Sequence, residues 1–415
     1  MAISTPEIFD AIIIGAGPAG MMAAIRAADR GRKVLLLEKM PGPGSKLLIS
    51  GKGRCNLTNA GSIDKFLKKF SESGVFLRNA FARFFNDDLC AFFEQSGCKL
   101  KTERGERVFP ASDKSVDILN ALVRLLKEKG VEVRYNKEVI DIMLENDTKH
   151  VYTKGGAEYA APKVVISTGG LSYPGTGSTG FGFKVAQKAG HKINAPRPAL
   201  VPVLTKSGLP SRLMGLSLEN VKCSVISGGK VIEEKLGDML FAHFGLTGPI
   251  VLDLSAAVYD QLQLKKHVFI SINLKPGLDK NKLDQRLIRE FKENPNKALK
   301  NIFGELLPQR LIGEFLKYCG LDGQKKANQI TKSEREKMLE SLFDFRLEIT
   351  GTKSVRDAII TRGGVLTKEI NPKTMESRKV RGLYFAGEVI DVDAKTGGYN
   401  MQAAFSTGFV CGENL

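Results

Sequence analysis

The sequence predicts an α/β fold, discontinuous along the chain, on three observations. A strand, glycine turn, helix and strand follow one another between Phe9 and Glu38, a second strand-and-glycine signal lies between Gly382 and Cys411, and prolines break the composition between them near Pro196. Residues 9–14 are an apolar, β-branched run of strand length, and Gly15, Gly17 and Gly20 then give G-x-G-x-x-G where the strand must turn into a helix. Gly15 permits the tight turn, Gly17 lets backbone approach a diphosphate with no Cβ in the way, and Gly20 lets the helix lie close on the strand. The helix N-terminus, with its unpaired N–H groups and the positive end of its dipole, favours an anion there. Ala24 and Ala28 continue a small-residue face, Gly31 ends the helix, and 34–37 form the next buried strand. Glu38 stands 18 residues beyond Gly20 (38 − 20), close to the spacing of an acid that grips a ribose diol. Together these elements predict a Rossmann-like unit for a dinucleotide cofactor.

Other classes fit less well. The apolar stretch 11–28 lacks the positive flank of a secretory signal, since Glu7 and Asp10 precede it and Arg26 and Asp29 follow, and no other segment is long and apolar enough to span a bilayer. A cytoplasmic protein without a membrane partner is expected. The composition of 42% hydrophobic and 26% charged residues over 415 positions is that of a globular protein too long for one core. Cys55, Cys90, Cys98, Cys223, Cys319 and Cys411 form no C-x-x-C pair and read as reduced thiols, and the four His have no metal-ligand spacing, so no metal site is expected. The formal charge of +17 invites a nucleic-acid partner. Because its Lys and Arg alternate with acids on helical segments such as 279–293 and 333–341, a solvated, salt-bridged face is favoured and RNA contact is the lesser reading.

Along the chain, 44–56 is a second glycine-rich loop in which Lys46, Lys52 and Arg54 stand among Gly51 and Gly53, offering backbone and cations to a phosphate or an electron-rich ring. Residues 78–96 and 115–129 have helical periodicity, 131–135, 139–144 and 150–152 read as strands of a small meander, and 164–166 is a buried strand leading into Ser167, Thr168, Gly169 and Gly170. Gly175, Gly177 and Gly180 repeat G-x-G-x-x-G before a helix at 181–189. With no acid between Gly180 and Glu219, a second dinucleotide fold is rejected there, although its glycines could line the cavity. Pro196, Pro198 and Pro202 open an insertion, with alternating strands at 218–226, 230–236 and 268–273, a turn-rich junction at 241–254, and amphipathic helices over 278–342. Strands return near Leu347 and at 358–360, followed by Gly363 and Gly364. The expected domains are 1–195 with 345–415 for the cofactor, a β-rich insertion at 196–275 and a helical one at 276–344.

At the C-terminus a short apolar strand ends at Gly387 and Glu388, and Gly397 and Gly398 open a small-residue helix. A helix dipole there would stabilise negative charge on a reduced flavin, and Tyr399, Asn400 and Gln402 add hydrogen-bonding side chains at the turn.

GAGPAG at 15–20, LLISGKGRCNLTN at 47–59, STGGLSYPGTGSTGFG at 167–182, HFGLTGP at 243–249 and GLYFAGEVIDVDAKTGGYNMQAAFSTG at 382–408 resemble the BaiN/YhiN-like flavoproteins, NAD(P)/FAD-dependent oxidoreductases. The resemblance spans both ends and the middle of the chain. It implies tightly bound FAD and NAD(P)H as a transient reductant. Cofactor contacts are implied along the first turn at Gly15, Ala16, Gly17, Pro18, Ala19 and Gly20, at Glu38 and Lys39, and in the second loop at Lys46, Gly51, Gly53, Arg54, Cys55 and Asn56. Further contacts are implied at Thr168 and Gly169, and at Gly387, Glu388, Gly397, Gly398, Tyr399, Asn400, Met401 and Gln402. Two residues depart from the family's pattern, which often has a basic residue in place of Ser45 and a third glycine in place of Lys52. An ammonium at Lys52 near the ring would alter redox potential or substrate preference. The expected reaction passes hydride from NAD(P)H through flavin N5 to a small unsaturated carbonyl compound. An oxygen-using amine oxidase and, from another class, an RNA-associated flavoprotein are the alternatives. Cys55, the thiol nearest the loop in sequence, reads as a small buried side chain rather than a proton donor.

Overall fold

The computed structural model describes residues 6–144 and 147–415 and divides into two compact units, 6–199 with 355–415, and 200–354. The first is organised by a five-stranded parallel sheet in the order Leu383–Phe385, Lys163–Ile166, Ala11–Ile14, Val34–Leu37, Glu132–Arg134. Ile12 and Ile13 are fully buried, as the apolar run requires of a strand covered on both faces. The opening helix Pro18–Asp29 has Pro18 in its first turn, where a missing N–H costs nothing. It lies against the closing helix Tyr399–Glu413. Gly408 and Gly412 permit this approach: a Cβ on either would stand 2.2 Å from the Ala19 carbonyl oxygen or 2.6 Å from that of Ala23. The two ends of the chain thus share one core.

Two expectations are corrected in this unit. Residues 78–96 form two helices, Arg78–Arg83 and Asn86–Gln95, because the Asp88 carboxylate accepts the Phe85 amide at 2.8 Å and starts a new helix. The strand at Glu132–Arg134 joins the edge of the parallel sheet rather than the meander, since the helix Ser115–Glu128 before it supplies the crossover that a parallel neighbour needs. The meander itself is Val139–Met143, Lys149–Thr153 and Glu158–Ala161. An antiparallel ribbon of Ile193–Ala199 with Ile360–Val365 completes the strands that concern the site.

The second unit is a closed six-stranded barrel, in the order Val203–Thr205, Gly245–Thr247, Lys230–Ala242, Ser217–Ser227, Val268–Asn273, Phe345–Thr352. The expected boundaries at 196, 276 and 345 are therefore displaced. Residues 196–199 belong to the ribbon of the first unit, and Phe345–Thr352 closes the barrel by pairing with both Val203–Thr205 and Val268–Asn273. The helices between 276 and 344 are not a separate body: Leu283, Phe303, Phe315 and Met338 share one core with Val225 and Ile270. The junction expected at 241–254 is a strand end, a short strand and then a helix, Pro249–Gln263, again with proline in its first turn. Arg335 with Asp284 at 2.8 Å and Lys280 with Glu340 at 3.4 Å show the salt-bridged helix surface that the alternating charges predict.

Candidate active site

The turn after the first strand is built as the sequence requires. Gly15, at φ 102°, is in the left-handed region, and a Cβ on Gly20 would stand 2.0 Å from the Gly15 carbonyl oxygen and 2.6 Å from Ser167 Oγ. Gly17 is different: no heavy atom beyond its chain neighbours lies within 4 Å of the place a Cβ would take, and no side chain caps the helix that begins there. Packed glycines flank an open one. That is the arrangement by which backbone can approach a bulky anion. Ala16 donates its amide to Glu38 Oε2 at 2.7 Å, and Met40 donates to Oε1 at 2.8 Å, so the buried Glu38 carboxylate is fixed beside the turn with acceptor capacity left for a diol.

The next strand end brings Ser167, Thr168 and Gly169 alongside. A Cβ on Gly15 would touch the Ser167 carbonyl oxygen and Thr168 Cα, and the buried Thr168 Oγ1 has no hydrogen-bond partner. Its hydrogen-bonding capacity is open to a group bound beside it. The second G-x-G-x-x-G is not a nucleotide turn, but Gly177 comes close to the acid: a Cβ there would lie 3.8 Å from Glu38 Oε1 and 3.4 Å from Lys39 Cε. Lys39 donates to Thr179 Oγ1 at 2.8 Å, and burial lowers its pKa. Gly387, at φ 75°, packs on Ala19 at the start of the opening helix.

The loop cations have different fates. Lys46 Nζ lies 2.6 Å from Glu388 Oε2 and 2.5 Å from Ser172 Oγ. Ser172 donates to Glu388 Oε1 at 2.9 Å, and the Thr361 amide donates to the same oxygen at 2.7 Å. This network joins the glycine loop, the 167–172 segment, the ribbon and the C-terminal strand end. Sequence reasoning missed Ser172 and Thr361 as members, because neither belongs to a recognisable spacing. Arg54 is held by Glu103 and Asp113 and stacks on Phe109 at 4.2 Å, so its guanidinium is occupied within the protein. Cys55 is fully buried, and burial pushes its thiol up to about 12. Gly51 and Gly53 are left-handed, as is Lys52.

At the closing helix a Cβ on Gly398 would stand 2.4 Å from the Thr58 carbonyl oxygen, and the Asn56 side-chain amide, with its nitrogen turned toward Thr58, donates to the Thr58 carbonyl and accepts from the Gly398 amide at 3.1 Å each. Gly397 packs on the Tyr399 ring, which meets Phe66 edge-on at 4.8 Å. Asn400 accepts from the Ala394 amide at 2.9 Å and donates to its carbonyl at 2.8 Å, while Gln402 accepts from Thr58 Oγ1 at 2.6 Å. These two side chains brace the turn, whereas Met401 is half-buried. Asp393, on the loop before the turn, is a buried carboxyl whose pKa burial raises. It too lay outside the sequence-based candidates. Among the described residues no group of His, Cys, Asp and Glu could hold a metal, and no helix is long and apolar enough to cross a membrane.

An open glycine at an uncapped helix start, a tethered acid at the next strand end and an orphaned hydroxyl just past the neighbouring strand stand together in a Rossmann-like unit, and their chemistry fits FAD. The chain belongs to the HI0933-like protein Rossmann domain family, whose model matches residues 9–414, and it is an FAD-binding oxidoreductase. It is 36% identical over 414 residues to ribosomal RNA dihydrouridine synthase of Escherichia coli strain K12, a match covering 99% of this chain and 98% of that protein. To 3-dehydro-bile acid delta(4,6)-reductase of Clostridium scindens it is 28% identical over 402 residues, covering 96% and 97%. The fold alone is shared with 3-ketosteroid delta1-dehydrogenase from Sterolibacterium denitrificans, at a TM-score of 0.52 and 14% identity, covering 98% and 99%.

Proposed function

We propose that this chain is an NAD(P)H-dependent reductase that uses FAD to saturate the C5–C6 double bond of a uracil base in ribosomal RNA. The observation that carries the reading is the 36% identity to the E. coli ribosomal RNA enzyme along the whole of both proteins. Chemistry supports it. The C5–C6 bond of uracil is conjugated with the C4 carbonyl, the same electron-poor unsaturated carbonyl expected from the sequence, so hydride adds at C6 and a proton at C5. The formal charge of +17 is of the sign that a polyanionic substrate requires.

FAD would supply the two-electron hydride chemistry that the reduction needs. Glu38 would hold the ribose diol of its adenosine half, the amides at the open glycine its diphosphate, and the Thr168 hydroxyl a further polar atom. The Lys46–Glu388 pair ties the glycine loop to the C-terminal strand end. With its thiol buried and protonated, Cys55 packs rather than reacts.

The test is complementation. In an E. coli strain lacking its ribosomal RNA dihydrouridine synthase, expression of this chain should return dihydrouridine to ribosomal RNA, read by mass spectrometry of the digested nucleosides. Unmodified RNA despite folded, yellow protein would sink the RNA reading. The second reading, favoured by the 28% identity to the bile acid reductase, is reduction of a steroid enone, seen as NAD(P)H oxidation dependent on that compound.

A further inference from the structure

We propose that Lys52 contacts a backbone phosphate of the RNA substrate, held out for that purpose at the tip of the glycine loop. The inference rests on the RNA reading above and adds the residue that meets the nucleic acid.

Lys52 stands at φ 59° and ψ 41°, between Gly51 at φ 56° and Gly53 at φ 84°. Three successive residues are thus left-handed, a conformation that suits glycine and strains any residue with a Cβ. Strain of this kind persists where the surroundings over-determine the backbone, and here they do. The Cys55 amide donates back to the Ser50 carbonyl at 3.0 Å, Ser50 Oγ to the Leu47 carbonyl at 2.7 Å, and Arg54 is clamped by two carboxylates and Phe109. Asn56 ties the far end of the loop to Gly398 at the start of the closing helix. The tip is therefore a fixed feature of the loop that also carries candidate cofactor residues.

A glycine would relieve the backbone at 52, so the side chain itself needs a reason. Of the cations from 39 to 54, Lys39 donates to Thr179, Lys46 is paired with Glu388, and Arg54 with Glu103 and Asp113. Lys52 is exposed and, among the described residues, has no ion pair or hydrogen bond within the protein. A lone ammonium on a rigid tip is the chemistry that recognises a phosphodiester without reading a base.

The experiment measures binding of holoenzyme to ribosomal RNA taken from the synthase-deficient strain, across a series of NaCl concentrations, for wild type, Lys52→Gly and Lys52→Arg. Loss of one phosphate contact should reduce the slope of log affinity against log salt by roughly 0.7–0.9 and weaken binding roughly three- to tenfold. Lys52→Arg should restore both, and Lys52→Gly should keep its FAD content and show a Tm no lower than wild type, whereas loss of a structural side chain would lower it. An unchanged slope in Lys52→Gly overturns the proposal. So does an unchanged slope with altered flavin reduction by NADPH, which assigns the ammonium to the nicotinamide nucleotide. Failure of the wild type itself to bind or modify RNA strikes the RNA reading instead, so the two failures are distinguishable.

Discussion

At the scale of single residues, the site is defined by which polar atoms are already satisfied. Glu38 accepts two backbone amides and still has lone pairs to offer, so Glu38→Gln, which keeps the shape but removes the charge, should weaken FAD binding by about 1.5–3 kcal/mol, the worth of a hydrogen bond to a charged group. A fluorescence titration of apoprotein with FAD measures it, and affinity equal to wild type would remove Glu38 from the cofactor's ligands. Cys55 makes a prediction in pH. Its thiol is pushed up to about 12 in the folded chain, while an unfolded thiol titrates near about 8.5. Between those values the unfolded state has released a proton that the folded state keeps, so the sign is a loss of stability as pH rises. The slope is about 1.4 kcal/mol per pH unit for this group. Urea unfolding at pH 8.5 and 10 should show Cys55→Ala losing roughly 1–2 kcal/mol less over the interval than wild type, the unfolded thiol being only partly ionised at the lower pH. An equal loss would mean that Cys55 ionises without penalty.

At the scale of elements, the strand–turn–helix shows how the same residue type does opposite jobs. Gly20 is packed, with no room for a Cβ before the Gly15 carbonyl, whereas Gly17 faces open space. Gly20→Ala should destabilise the protein by about 3 kcal/mol or more, through overpacking against backbone that cannot yield. Gly17→Ala should leave the thermal transition of the apoprotein within a degree or two of wild type and still strip FAD from it. Comparing Tm and flavin absorbance for the two variants checks this, and retention of FAD by a folded Gly17→Ala would mean that the open glycine is not the diphosphate's place. This element was legible because each glycine at 15, 17 and 20 answers a local steric demand, and local demands leave a spacing in the sequence. The Lys46–Ser172–Thr361–Glu388 network left none. Its members are separated by up to 342 positions and are brought together only by the tertiary fold. The helix Pro249–Gln263 was hidden for another reason: its apolar start reads as well for a buried strand or a junction as for a helix, and only packing decides. The second glycine motif shows a spacing satisfied out of context, since Gly175 sits in the short turn Pro174–Thr176 rather than at the end of a strand.

For the whole molecule, the chain leaves the first unit once and returns once, and both crossings fall at the ends of paired strands. Ile193–Ala199 and Ile360–Val365 run antiparallel, with Ala199 opposite Ile360, so the two ends of the insertion are neighbours within the cofactor-binding unit. Every strand of the barrel comes from 200–354, and its core is shared with the helices of the same span rather than with the Rossmann-like sheet. Closure removes the free edges that would otherwise need covering. A unit with its own closed sheet and core should fold alone, so residues 200–354 expressed by themselves should unfold in one cooperative transition with the circular dichroism of a mixed α/β protein. The complementary chain, with 200–354 replaced by a short Gly–Ser linker between Ala199 and Val355, should still bind FAD, because the glycine turn, Glu38, Thr168 and the Gly397–Gly398 turn all lie outside the deletion. It should also lose turnover if the insertion contributes to substrate binding. Noncooperative melting of the isolated insertion, or a colourless deletion chain that cannot be reconstituted, would show that the two cores depend on each other despite having separate residues.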